Sequence, residues 1–220
     1  MEAAERERLR IDVVSDAVCP WCWIGKRNLE AALASLPDIE AEVHWRPYQL
    51  DPTIPPGGVD RRAYVARKFG GREDEIYARI GQAGREVGLD FRFDRIARSP
   101  NTLDAHRLIR WSWSAGRQDA IVERLFAAFF DQGLDIGDRD VLVACAEEAG
   151  MDGAIVRGLL AGDADAEAVR AEVEQAREGG VTGVPFFIVD GRMGVPGAQP
   201  PERIAHVVRR ALERPAEPAV

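Results

Sequence analysis

Two of the three cysteines in the chain lie close together, in the segment Cys19-Pro20-Trp21-Cys22. Two thiols at this spacing suit disulfide exchange, in which one thiolate attacks a disulfide and the other resolves the mixed disulfide that forms. The same spacing also provides half of a zinc site, which needs two further ligands. The sequence has neither a second Cys-x-x-Cys segment nor a pair of closely spaced histidines. We therefore expect redox chemistry at this pair, and no metal.

The cysteine pair stands between a strand pattern and a helix pattern. Residues 9–15 form a β-branched run that predicts a central strand buried on both faces. From Cys19 onwards apolar residues recur at helical spacing, and Pro20 suits the first helical turn. Free N–H groups and the positive end of the helix dipole stabilise a thiolate at such a position. We expect Cys19 to be the more exposed nucleophile and Cys22, one turn further in, the buried resolving thiol.

The remaining elements follow from periodicity and from breakers. Alternating apolar residues over 39–46 predict a second strand, and three prolines and two glycines within 50–58 mark a loop and a boundary. Strands at 185–189 and 192–195 flank Asp190-Gly191, a dipeptide typical of tight hairpin turns. Helices are predicted at 60–69, 73–87, 101–115, 118–132, 138–149, 153–161, 164–178 and 200–214.

The order of these elements predicts an α/β fold. It reads β-α-β, a block of helices, a β-hairpin and a last helix, which is typical of a thioredoxin fold with an inserted all-helical domain. We predict a discontinuous thioredoxin-fold domain over 9–58 and 179–214, and a helical insertion domain over 59–178. A right-handed crossover places Cys19 at the carboxyl end of the first strand, where open α/β sheets hold their sites.

The composition indicates which classes of partner and which cell compartment to expect. With 37 acidic and 29 basic residues the formal charge is −8, which repels phosphate backbones and anionic lipids, so neither nucleic acid nor a membrane is an expected partner. Most of residues 1–10 are charged, which is unlike a secretory signal peptide. We therefore expect a cytoplasmic protein. In that compartment Cys145, within a helix capped by Asp138, is expected to pack in the core. A homodimer, the commonest oligomer, is compatible with this composition.

Four segments together resemble one family. They are Ser15–Lys26, Trp45–Leu50, Asn101–Leu108 and Gly183–Gly191, and they extend over nearly the whole chain. In this order they are similar to the FrnE-like proteins of the DsbA-like thioredoxin superfamily. The resemblance implies disulfide oxidoreductase or isomerase activity, Cys19 and Cys22 as the redox pair, and a cis bond before Pro185 that faces them.

The same resemblance suggests how substrates bind. A cis Val184-Pro185 bond would leave the backbone of Val184 free to pair with an extended chain, whereas a trans proline would start an ordinary edge strand. Between the cysteines, Pro20 and Trp21 tune the redox poise, and Trp21 helps to form an apolar rim. Together with Val184 they are the residues expected to bind substrate. We expect protein or peptide disulfides as substrates and no bound cofactor, with glutathione as a candidate reductant.

Several polar residues near the pair have more than one interpretation. Thioredoxin-like relatives often bury a carboxylate six residues before the first cysteine, where this chain has Val13. Asp12 and Asp16 flank that position but project differently from a strand. Lys26 lies four residues after Cys22 and on the same helix face. Its ammonium group either stabilises a thiolate or is solvated. Asn101-Thr102 either caps a helix or faces the site.

Two other functions compete with disulfide exchange. Kappa-class glutathione transferases and hydroxychromene-carboxylate isomerases resemble this chain in architecture, which makes a glutathione-dependent transferase or isomerase the main alternative. Those proteins typically carry serine at the first active position, so the presence of both Cys19 and Cys22 favours the oxidoreductase. A binding module that uses an apolar patch around Trp21, without any thiol, is the third hypothesis.

Overall fold

The structure is a computed structural model that describes residues 7–213. Residues 1–6 of the charged N-terminal run, and Arg214 of the last predicted helix, lie outside the described residues. In chain order the elements are β1 (Glu7–Ser15), α1 (Pro20–Ala34), β2 (Ile39–Pro47), β3 (Val59–Asp60), α2 (Arg61–Phe69), α3 (Glu73–Glu86), β4 (Arg98–Ser99), α4 (Leu103–Ser114), α5 (Gln118–Phe130), α6 (Arg139–Glu148), α7 (Gly153–Ala161), α8 (Ala166–Glu178), β5 (Phe186–Val189), β6 (Met193–Pro196) and α9 (Pro201–Glu213).

A mixed four-stranded sheet has the order β2-β1-β5-β6. β1 runs parallel to β2 and antiparallel to β5, and every residue from Ile11 to Ser15 is buried. Val14 packs against α8 on one face, while Ile11 and Val13 belong to the main core with α1 and α9. Burial on both faces explains why this strand is rich in β-branched residues with few polar interruptions, and it confirms the predicted central strand.

The hairpin that closes the sheet turns at the predicted dipeptide. Asp190 and Gly191 both have positive φ angles, 53° and 67°, as a tight turn between twisted strands requires. β5 and β6 pair from Phe186 opposite Pro196 to Val189 opposite Met193. These elements confirm the thioredoxin fold with a helical insertion.

A short second sheet, β3 with β4, was not predicted. Val59 pairs with Ser99, and Asp60 with Arg98. A strand of two residues shows no periodicity. The sequence therefore predicted a helix from residue 60 instead. In the structure the Asp60 side chain caps that helix by accepting a hydrogen bond from the N–H of Ala63.

The helical block packs on the helix that carries the cysteines. The Trp23 ring of α1 lies 5.7 Å from Phe91, 6.0 Å from Phe126 and 6.1 Å from Phe130, between ring centroids. One continuous apolar cluster therefore joins the sheet to the helical block. The domain boundaries at 58/59 and 178/179 stay a prediction.

The outer edge of the sheet is covered by the same block. Gln118, at the start of α5, accepts a hydrogen bond from the N–H of Trp45 at 2.8 Å and donates to its carbonyl oxygen at 3.3 Å. The side-chain amide thus pairs with β2 as a further strand would, which satisfies the hydrogen bonds of an edge that would otherwise be open.

Within residues 7–213, no helix is both long and apolar enough to cross a membrane.

Candidate active site

The turn between β1 and α1 places Cys19 at the helix N-terminus. Cys19 is the N-cap residue with an extended backbone, and Pro20 is the first helical residue, where its missing N–H leaves no hydrogen bond unmade. The Cys19 N–H donates to the carbonyl oxygen of Asp16, and the Cys22 N–H donates to that of Cys19, both at 3.0 Å. Cys19 therefore lies at the positive end of the helix dipole, although its side chain makes no capping hydrogen bond.

The two thiols lie within one turn of each other at the start of α1 but differ in their surroundings. Cys19 is 4% exposed and Cys22 is 0% exposed, and both are free. Burial raises the pKa of Cys22 well above its usual value, and the hydrogen bond and charge of Cys19 raise it further. The Ser15 hydroxyl and the Asp16 backbone act in the opposite direction. Cys22 therefore keeps its proton while Cys19 is free.

The loop before β5 brings Val184 and Pro185 to the cysteine pair across 165 residues of sequence. The Val184-Pro185 bond is cis, and the Val184 carbonyl oxygen accepts a hydrogen bond from the Cys19 thiol at 3.5 Å. α1 packs directly on the proline ring, because a Cβ atom at Gly25 would lie 2.8 Å from Pro185 Cγ. Gly25 was not predicted as a site residue, because its role depends on a neighbour that is far away along the chain.

An apolar rim adjoins Cys19. Pro20, Trp21 and Val184 are half-buried, and Trp21 and Val184 pack on the main core. Val18, also half-buried, extends this surface on the other side of Cys19 in the chain. Such a surface suits contact with a substrate chain, which is the role predicted for Pro20, Trp21 and Val184.

A buried carboxylate and a histidine lie beside the pair. Asp16 is 1% exposed, and one of its carboxylate oxygens accepts the Leu50 N–H at 2.8 Å. The other oxygen lies 3.3 Å from His106 Nε2, which is also 2.9 Å from the Tyr48 carbonyl oxygen. Since both neighbours of Nε2 are acceptors, this nitrogen carries a hydrogen and donates.

From the sequence, Asp16 was only a flanking carboxylate, and His106 was not predicted to lie at the site. One indication was available, because His106 lies in α4 among the buried residues Ala105, Leu108 and Ile109. A polar side chain on the apolar face of a helix requires a buried partner. Asp12, the other flanking carboxylate, pairs instead with Arg10 and Arg46.

Lys26 is not solvated, so that interpretation is wrong. Its side chain is 3% exposed and pairs with Glu30, with Asp119 at 3.0 Å and with Glu123 at 3.3 Å. Burial lowers the pKa of Lys26, but hydrogen bonds and charges from Glu30 and Asp119 outweigh this and raise it. These three carboxylates take up its charge, and two of them belong to α5.

Asn101 caps α4 and also supports the loop next to the site. Its Oδ1 accepts the Leu103 N–H at 2.9 Å and an N–H of Gln49 at 3.1 Å, while its Nδ2 donates to the Ile54 carbonyl oxygen at 2.6 Å. Thr102 is buried and makes no side-chain capping bond. The capping interpretation thus holds for Asn101 and not for Thr102.

Comparison with known proteins agrees with this geometry. Residues 10–209 match the DSBA-like thioredoxin domain family. The chain belongs to the DsbA-like thioredoxin family. A probable DsbA oxidoreductase from Streptomyces coelicolor is 32% identical, with 96% of this chain and 93% of that chain covered and a TM-score of 0.87. The uncharacterized protein YwbO of Bacillus subtilis is 29% identical over 191 residues, which are 86% of this chain and 90% of that protein.

Two more distant structures share the DsbA-like fold. A 2-hydroxychromene-2-carboxylate isomerase is 17% identical, with 93% of this chain and 95% of that chain covered and a TM-score of 0.68. The cytosolic disulfide reductase DsbM of Pseudomonas aeruginosa, solved with GSH, is 20% identical, with 94% and 100% covered and a TM-score of 0.64. At these identities the similarity concerns the fold alone.

Proposed function

We propose that this DsbA-like protein, of the FrnE-like type, catalyses thiol–disulfide exchange on protein or peptide disulfides. The observation that carries the proposal is the pair of free thiols in the first turn of a helix, of which only Cys19 retains exposure, 4% against 0% for Cys22. This asymmetry assigns Cys19 as the nucleophile and Cys22 as the resolving thiol. Oxidation, reduction and isomerisation use the same two sulfurs and differ in reduction potential.

In the first step the Cys19 thiolate attacks one sulfur of the substrate disulfide. The substrate S–S bond breaks, one substrate thiolate leaves, and a mixed disulfide forms on Cys19. The helix N-terminus stabilises the attacking anion. An extended substrate would pair with the backbone at Val184, whose carbonyl oxygen is 3.5 Å from the Cys19 sulfur.

In the second step Cys22 is activated by the first. The mixed disulfide removes the Cys19 thiol as a hydrogen-bond partner and as a charge, and both of these raise the pKa of Cys22. Cys22 then loses its proton to solvent more readily and attacks the Cys19 sulfur. The Cys19–Cys22 disulfide forms, the bond from Cys19 to the substrate breaks, and the second substrate thiolate leaves. Two glutathione molecules supply the two electrons that restore the dithiol.

We also propose the cytoplasm as the compartment, since a reducing glutathione pool would return Cys19 and Cys22 to the dithiol after each turnover. A glutathione-dependent transferase or isomerase is the alternative to be tested. Its chemistry needs glutathione held as a co-substrate and does not need Cys22. The two functions therefore respond differently to loss of the second cysteine.

The test measures glutathione-driven reduction of insulin beside glutathione conjugation and isomerisation of an aromatic substrate. We expect reduction by the wild type, none by Cys19→Ser or the double variant, and a trapped mixed disulfide in Cys22→Ser. Cys145→Ala is the matched control and should retain full turnover, because Cys145 is buried in α6 away from the pair. If conjugation or isomerisation dominates and survives Cys22→Ser, the alternative is correct and the oxidoreductase proposal is wrong.

A further inference from the structure

The turn that leads into α1 is closed by a backbone hydrogen bond. Residues 16–19 connect the end of β1 to the helix, and the Cys19 N–H donates to the Asp16 carbonyl oxygen at 3.0 Å. The Cys19 side chain makes no capping hydrogen bond, so the position of its sulfur at the helix N-terminus depends on its backbone. A movement of Asp16 would therefore also move the attacking sulfur.

The Asp16 side chain is held by donors from two other segments. One carboxylate oxygen accepts the Leu50 N–H at 2.8 Å, and the other lies 3.3 Å from His106 Nε2. The same Nε2 lies 2.9 Å from the Tyr48 carbonyl oxygen, so one N–H serves two acceptors. Asp16 is 1% exposed and His106 is 3% exposed. Water can therefore replace these donors only if the turn moves.

His106 is a fixed point because its helix is anchored next to it. Arg107, the following residue of α4, is 1% exposed. Its guanidinium donates to three backbone carbonyl oxygens in and just after α7, at 2.7–2.8 Å, those of Leu159, Gly162 and Ala164. Adjacent residues of α4 thus bind the helical insertion on one side and the turn beside the redox pair on the other.

We propose that Asp16 and His106 are positioning residues for Cys19. The His106 N–H fixes the Asp16 carboxylate, and Asp16 fixes the turn that ends at the Cys19 N–H. The sulfur is thereby kept at the positive end of the helix dipole, where its thiolate is stabilised. The inference rests on the proposed function, since it concerns the redox equilibrium of Cys19 and Cys22.

The expected effect follows from loss of the His106 N–H. Without it, the buried Asp16 carboxylate and the Tyr48 carbonyl oxygen lack a donor, and such acceptors move towards water. Cys19 then loses stabilisation by the helix N-terminus, which corresponds to about two- to fivefold in an equilibrium constant. Only the reduced pair contains a thiolate, so its equilibrium with glutathione should move towards the disulfide by this factor.

The experiment measures this equilibrium for the full chain at neutral pH, in mixtures of reduced and oxidised glutathione. Two glutathione thiols reduce the Cys19–Cys22 disulfide and leave as glutathione disulfide, so two electrons are exchanged. Acid quenching, alkylation and mass spectrometry give the fractions of dithiol, disulfide and glutathione adduct. Thermal unfolding of the same proteins measures their stability separately.

Three substitutions of His106 separate the position of the donor from its polarity. His106→Leu removes the donor, and His106→Asn places an amide near Nδ1, too short to reach Asp16. We expect both to shift the equilibrium about two- to fivefold towards the disulfide. His106→Gln carries an amide N–H near the position of Nε2 and should restore the wild-type equilibrium.

Gln118→Leu is the matched control. Gln118 is 8% exposed and also joins the helical block to β2, but it binds the Trp45 backbone and not the turn. Its loss should lower the melting temperature and leave the redox equilibrium unchanged. A merely structural role of His106 would give the same result for His106→Leu.

The inference is wrong if His106→Leu and His106→Asn keep the wild-type equilibrium, if Gln118→Leu shifts it equally, or if His106→Gln shifts it as far as His106→Asn. In those cases the proposed function stands, as long as the wild type cycles between dithiol and disulfide. If His106→Leu does not fold, the comparison of His106→Asn with His106→Gln decides. If the wild type forms a glutathione adduct but no Cys19–Cys22 disulfide, both the inference and the proposed function are wrong.

Discussion

At the residue scale, the three cysteines differ because their surroundings differ. Cys19 is the N-cap residue of a helix and contacts the Val184 carbonyl oxygen, while Cys22 lies wholly inside the core. Cys145 is buried in α6, 5% exposed. Position alone thus distinguishes identical side chains, and it is the basis for the roles proposed for Cys19 and Cys22.

Cys145 leads to a prediction about stability at high pH. Burial, with a contribution from Glu148, raises the pKa of Cys145 from 9.0 to about 11. The folded state holds this proton more tightly than the unfolded state, so the thiol stabilises the fold below pH 9 and loses this effect as pH rises to about 11. Between those pH values we expect the wild type to lose about 2–3 kcal/mol more unfolding free energy than Cys145→Ala.

Urea denaturation of the reduced proteins at each pH measures this difference. Other groups that titrate in the same range, Cys22 included, are common to both proteins and cancel in the comparison. Parallel pH dependences for wild type and Cys145→Ala would contradict the assignment.

At the element scale, the approach of α1 to the loop before β5 builds the site. Gly25 faces Pro185 and Phe187, with a hypothetical Cβ 2.8 Å and 3.3 Å from their nearest atoms. The helix that carries the cysteines can lie this close only because residue 25 has no side chain. The distance between α1 and the loop in turn determines where Val184 lies relative to Cys19.

Gly25→Ala should therefore destabilise the fold, although alanine is the better helix former. The added methyl group would force α1 and Pro185 apart, at a cost of about 1–3 kcal/mol, and disulfide turnover should fall with it. Gly158→Ala on α7 is the matched control, since no atom lies within 4 Å of its added Cβ. That variant should gain about 0.5–1 kcal/mol and keep full turnover. Equal stabilisation of both variants would show that α1 and Pro185 are not in close contact.

At the scale of the whole molecule, the helical block packs on the thioredoxin part through α1 and through β2. Trp23 enters the aromatic core of the block and donates from Nε1 to Glu123 at 3.3 Å. Next to it, Lys26 and Arg27 pair with carboxylates of α5. His106 and Gln118 add polar contacts from the block to the first two strands and their loops.

Lys26→Met tests the electrostatic part of this attachment. The variant leaves Glu30, Asp119 and Glu123 close together without the buried cation, so repulsion should destabilise the fold by about 1–3 kcal/mol. Added salt should reduce the loss, because these carboxylates are partly exposed. Thermal unfolding measures both effects, with exposed Lys68→Met as the control. Equal melting temperatures for the two variants would contradict this role of Lys26.

The sequence by itself determined the features that depend on neighbours along the chain. The β-branched run before Cys19, the helical spacing after it, and Asp190-Gly191 predicted β1, α1 and the hairpin correctly. Local periodicity shows which face of an element is buried and where the element ends. The order of Cys19 and Cys22 at a helix start is local information of the same kind, so the candidate pair could be located without a structure.

Only the tertiary structure decided which groups meet across the fold. The contact of Asp16 with His106, the burial of Lys26 among carboxylates of α5, and the approach of Gly25 to Pro185 each join residues from separate elements. Periodicity assigns a residue to a face but does not identify its partner, because the partner depends on how two elements pack. For that reason the candidate pair could be located from the sequence, whereas the residues from other elements that surround the site could not.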